Sequence, residues 1–81
     1  MSSSEQVLSR IISRAAELYK TDPSAYNEQT RFAEDLKAKS VNYVQILSVL
    51  EEEFDVQIPF MEFRRKKTLG EAAEYVAGLC G

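Results

Sequence analysis

Chemistry in this chain narrows to one hydroxyl. The 81 residues hold no histidine and a single cysteine, Cys80. That removes Ser-His and Cys-His nucleophile pairs, histidine-held metals and thiolate clusters. The three glycines form no phosphate-cradling loop, so an independent enzyme is not expected. What remains is Ser40, where an irregular approach, FAEDLKAKS, runs into a periodic segment, VNYVQILSVLEEEF. A hydroxyl there projects from a helix N-terminus, where backbone N–H groups lack partners and the dipole favours negative charge. Two readings stand side by side. A serine before a helix is commonly only an N-cap, and spacing alone favours that. A phosphate esterified to the same oxygen would also rest in a ready-made anion site. Asp35 is a loop carboxylate able to accept from nearby backbone N–H groups. Lys37 and Lys39 add positive charge beside the serine, where an exposed lysine opposes the dipole at a cost of about 0.3–1 kcal/mol.

The elements that must position these residues read as helices. Ser3 and Gln6 have capping-box spacing, so a first helix begins near Ser4. Val7, Leu8, Ile11, Ile12, Ala15, Leu18 and Tyr19 form its apolar stripe, and Thr21 to Ser24 end it. A long connection to Lys39 follows, with Tyr26, Phe32 and Leu36 expected to pin it to the core. The second helix is expected from Ser40 or Val41 to about Phe54. Its expected inner face is Val41, Val44, Leu47, Leu50 and Phe54, widened by Ile46 and Val49. Asn42, Tyr43, Gln45 and Ser48 are expected to face outward. Glu51, Glu52, Glu53 and Asp55 oppose the dipole at its end and read as a solvated acidic face. Pro59 suits the first turn of a short third helix, Phe60 to about Arg64, with Phe60, Met61 and Phe63 expected in the core or lining a pocket. Thr68 and Glu71 form a second capping box, opening a last helix with Leu69, Ala72, Ala73, Val76 and Leu79 inward. Gly78 and Gly81 weaken its end, leaving Cys80 a free thiol in a frayed tail. The expectation is an all-α fold, a bundle of three main helices and one short one with a long first loop.

Composition sets the outer limits. A chain of 81 residues with 44% hydrophobic content suits one small folded domain, 1–81. A net charge of −3 argues against nucleic acid as a general partner, despite the basic run Arg64 to Lys67. The N-terminus lacks a signal-peptide pattern and no apolar run reaches spanning length, so no membrane association and a cytoplasmic location are expected.

The stretch Phe32 to Phe54 also resembles a known family. Phe32, Glu34, Asp35, Leu36, Ala38 and Ser40 match the attachment-site pattern of acyl carrier proteins, F-x-EDLGADSL, and LEEEF at Leu50 to Phe54 matches the end of the helix that follows. The likeness continues through Ile58-Pro59 and TLGEAAEYV. Two positions depart: Lys37 stands for the family's glycine and Lys39 for its aspartate before the serine. The resemblance implies a small acyl-carrier-like four-helix bundle. It implies a 4′-phosphopantetheine arm on Ser40, with Lys37 and Lys39 near its phosphate. Asp35 would also lie near the phosphate, where Mg²⁺ assists the transfer, although no resident metal is expected. It implies a phosphopantetheinyl transferase and acyl-transferring synthase enzymes as partners, an acyl chain as cargo and a monomeric state, in fatty acid or specialised lipid or polyketide-type biosynthesis. A D-alanyl-type carrier and an unmodified carrier-like interaction module are the alternatives. In family members the acyl chain tucks between the second and third helices. Phe63 and Lys66 at that place predict weak sequestration of long chains here.

Overall fold

The structure is a computed structural model and describes residues 3–80. Its order is α1 (Ser4–Tyr19), a 3₁₀ turn (Pro23–Ala25), α2 (Ser40–Phe54), α3 (Phe60–Arg64) and α4 (Leu69–Cys80). The helical bundle expected from the pattern is therefore present, with the same boundaries to within a residue. Gly81 lies outside the described residues.

Each boundary has a local cause. Ser3 caps α1 through a full capping box: its Oγ accepts from Gln6 N–H at 3.2 Å, and Gln6 Oε1 accepts from Ser3 N–H at 3.0 Å. Lys20 ends α1 in the left-handed region, at φ 54°. Asp22 Oδ1 accepts from Ser24 N–H at 2.8 Å and starts the 3₁₀ turn. Asp55 closes α2 at φ 51°. Glu51 is more than a solvated acid, because its Oε2 accepts from Ile58 N–H at 2.8 Å and guides the chain into α3. Thr68 Oγ1 accepts from Glu71 N–H at 3.1 Å at the start of α4.

The long loop is held by its backbone. Gly70 N–H donates to Glu28 carbonyl at 2.9 Å, Leu69 N–H to Thr30 carbonyl at 2.9 Å, and Phe32 N–H to Lys67 carbonyl at 3.0 Å. The approach is so close that a Cβ on Gly70 would stand 2.8 Å from the Glu28 oxygen, which is why a glycine sits there. Phe32 is fully buried and Leu36 is buried, as expected, while Tyr26 packs partly buried against the core.

Four inward assignments (Val41, Val44, Met61 and Leu79) and one outward assignment (Tyr43) are corrected. On α2 the buried residues are Tyr43, Ile46, Leu47 and Leu50, with Phe54 partly buried, whereas Val41 and Val44 are 57% and 44% exposed. Tyr43, Ile46, Leu47, Leu50 and Phe54 fall within an arc of roughly 100° at 3.6 residues per turn, narrower than the valine-led set. Burying a tyrosine ring also removes more apolar surface than burying a valine. On α3, Phe63 is fully buried and Phe60 half-buried, but Met61 is 62% exposed, since one turn of helix offers the core only one side. On α4, Leu79 is exposed, and Cys80 continues the Leu69–Ala73–Val76 line. The Cys80 thiol is therefore free but helical and partly buried, not in a frayed tail.

Candidate functional site

Two short segments build the site: the last turn of the loop and the first turn of α2. Phe32 and Leu36 anchor the loop from below. Around them Asp35 and Leu36 N–H donate to Arg31 carbonyl at 3.0 and 3.1 Å, and Ala38 N–H donates to Phe32 carbonyl at 2.9 Å. Asp35 turns its carboxylate back into this loop. Its Oδ2 accepts from Arg31 N–H at 2.8 Å and lies 3.5 Å from Arg31 Nε. The Arg31 backbone N–H holds the Asp35 carboxyl below the usual carboxylate range. Lys37 follows at φ 52°, in the left-handed region. A side chain there is strained, and glycine is the residue that region favours.

Ser40 is the first helical residue of α2, and Lys39 is the N-cap. The N-cap reading of Ser40 therefore gives way. The cap is made from inside the helix: Asn42 Oδ1 accepts from Lys39 N–H at 2.9 Å. A lysine side chain has no acceptor to complete the reciprocal half. Asn42 and Tyr43 N–H groups both reach the Lys39 carbonyl, at 2.9 and 3.2 Å. Among the described residues, the N–H groups of Ser40 and Val41 and the Ser40 hydroxyl have no such partner. Ser40, Lys37 and Lys39 are exposed. No carboxylate lies within 4 Å of either lysine among the described residues. This set fits a phosphodiester on Ser40: an accessible oxygen, free amide donors at a dipole's positive end and two cations. Among the described residues, no cluster of three or more Cys, Asp or Glu could hold a metal.

The floor of the site was not legible as such. Phe32, Tyr43 and Phe63 form an aromatic trio, with ring centroids 4.9 Å apart for Phe32–Tyr43, 6.0 Å for Phe32–Phe63 and 6.4 Å for Tyr43–Phe63. The Arg64 guanidinium lies 5.7 Å over the Tyr43 ring. Burial pushes the Tyr43 hydroxyl above its ordinary range, against the pull of Arg64. The narrower helical arc through Tyr43 was the available signal for it. The Lys66 Nζ lies 4.6 Å over the Tyr75 ring.

The chain is similar to known proteins over most of its length. Residues 9–76 match the family model of the phosphopantetheine attachment site. An acyl carrier protein of Lactobacillus acidophilus is 34% identical over 74 residues, covering 91% of this chain and 92% of the relative. One from Rickettsia canadensis is 32% identical over 76 residues, covering 94% and 88%. One from Thermosynechococcus vestitus is 34% identical over 71 residues, covering 88% of each.

Proposed function

Because the chain belongs to the acyl carrier protein family, we propose that Ser40 is its attachment residue and that residues 1–81 act as one carrier domain. Its function is to carry acyl groups in fatty acid biosynthesis on a covalent 4′-phosphopantetheine. The arm supplies the thiol that holds each acyl group as a thioester. The protein supplies position and recognition, and its role is carriage rather than catalysis.

The observation that carries the Ser40 assignment is its place: an exposed hydroxyl at the first position of α2, one residue past the cap. In the modification, the Ser40 hydroxyl gives up its proton to solvent. Its oxygen bonds to the pantetheine-side phosphorus of coenzyme A as the pyrophosphate P–O bond breaks and adenosine 3′,5′-bisphosphate leaves. Lys37 and Lys39 then flank the new anion, and the first-turn amides of α2 face it. Asp35 acts one step back, fixing the loop through Arg31 and so fixing the direction from which Ser40 is presented. The partners are a phosphopantetheinyl transferase and acyl-transferring enzymes. No helix among the described residues is long and apolar enough to cross a membrane, in keeping with a carrier that works from solution in the cytoplasm. The amino-acid carrier and the unmodified module are not favoured, given the acyl carrier relatives.

The test is incubation with coenzyme A, Mg²⁺ and a permissive transferase, followed by peptide mapping. One arm on Ser40, absent from Ser40→Ala, is the expected result. An adduct that persists in Ser40→Ala would remove the assignment.

A further inference from the structure

The surface around Ser40 carries charge of the opposite sign to the molecule as a whole. The chain is net −3, yet among the described residues the exposed charged side chains left without an ion-pair partner beside the serine are Lys37, Lys39 and Arg64, while Glu34 and Asp35 of the same loop are held by Arg31. Arg64 belongs to this surface because its guanidinium lies over Tyr43, and Tyr43 N–H bonds to the Lys39 carbonyl in the first turn of α2. Elsewhere the arginines are neutralised: Arg10 pairs with Glu53, Arg14 with Glu17, Arg31 with Glu34 and Asp35, and Arg65 with Glu62. Among the described residues Lys37, Lys39 and Arg64 have no carboxylate at ion-pair distance. Val41 and Val44 stand exposed on the same end of α2 as Lys39, and Met61 is exposed on α3, one turn before Arg64. Three unpaired cations accompany exposed apolar side chains, and that combination suits a protein surface better than bulk water.

We propose that this face docks the enzymes that load and unload the arm, and that their docking rims are acidic, with an apolar spot to meet Val41 and Val44. The inference rests on the assignment of Ser40. A group tethered there reaches an active site only if the enzyme approaches this end of α2, so the charges beside the serine select the enzyme. An acidic rim pairs with Lys37, Lys39 and Arg64, steers the encounter and rejects basic rims by like-charge contact. Glu34 and Asp35 in the loop are held by Arg31, and Glu51 to Glu53 lie at the far end of α2, so the remaining charge orients the approaching enzyme toward the serine end.

The experiment uses one permissive phosphopantetheinyl transferase in two forms, its carrier-facing rim rebuilt with Asp and Glu or with Lys and Arg. Transfer to the full chain is followed as kcat/KM at low and high salt. The wild-type carrier should favour the acidic rim by roughly tenfold at low salt, and the preference should shrink as salt rises. Lys39→Glu/Arg64→Glu should invert the order. Lys39→Gln/Arg64→Gln should flatten it, and both changes are on exposed side chains. Equal rates with the two rims, or faster transfer with the basic one, overturn the proposal. So does salt-sensitive co-sedimentation with phosphatidylglycerol vesicles combined with indifference to the rims, which would assign the face to a lipid surface. Failure of both forms to modify Ser40, while both modify an ordinary carrier, removes the Ser40 assignment itself and the docking proposal with it. An adduct without rim preference removes only the docking proposal.

Discussion

Replacing Lys37 by glycine should make the protein more stable, although glycine is generally the more costly residue. Lys37 has φ 52°, where a side chain costs roughly 1–2 kcal/mol relative to the right-handed region. Glycine removes that strain. It also gives the unfolded chain more freedom, worth about 0.5–1 kcal/mol in the other direction relative to alanine. The difference leaves a gain of about 0.5–1 kcal/mol for glycine over alanine at this position. In a domain of this size that corresponds to a rise in Tm of roughly 2–8 °C. Lys37→Ala is the proper reference, because it removes the same charge and keeps the Cβ. Lys39, at φ −101°, is the control site. There Lys39→Gly should be less stable than Lys39→Ala. Urea unfolding with an unchanged slope gives the comparison directly. Should glycine fall below alanine at position 37 as it does at 39, the left-handed strain has no energetic weight and the reasoning fails.

Three further predictions concern the aromatic trio and the loop carboxylate. Phe63 is fully buried between Phe32 and Tyr43, so Phe63→Ala should cost about 3–5 kcal/mol, most of the stability of a small domain. A long acyl chain loaded on the wild type should accordingly shift the NMR signals of Leu47 and Leu50 little; large shifts with slow thioester hydrolysis would mean that the chain enters the core despite the ring. Asp35 has its folded pKa lowered by Arg31, so its contribution is present above the unfolded value and is lost as pH falls below about 4. Asp35→Asn keeps an acceptor for the Arg31 N–H but cannot titrate. Its acid unfolding curve should be less steep than that of the wild type, and identical curves would show that the carboxylate adds nothing.

Much of this was readable from the chain because capping and periodicity act locally. Ser3 with Gln6 and Thr68 with Glu71 marked two helix starts, and the stripe of α1 marked its packing face. The second helix misled on its face because Val41 and Val44 also fall at helical spacing. Only the presence of Phe32 and Phe63, brought from a loop and another helix, decides that Tyr43 is the residue to bury. Ser40 stood out by place and motif, but its cap role belonged to Lys39, since Asn42 can satisfy the Lys39 N–H from within the helix. The left-handed conformation of Lys37 was hidden, as the loop hydrogen bonds that impose it run from Ala38 back to Phe32. The cation over Tyr43 depends on tertiary placement alone.

Carriage of the arm on Ser40 is tested most directly by the intact mass of the protein isolated from its native cells, with the modified peptide sequenced. A population heavier by one 4′-phosphopantetheine, together with acylated forms of it, all mapped to Ser40, is the expected result. Protein found only at its unmodified mass under growth conditions that demand fatty acid synthesis, or an arm on any other residue, would contradict it.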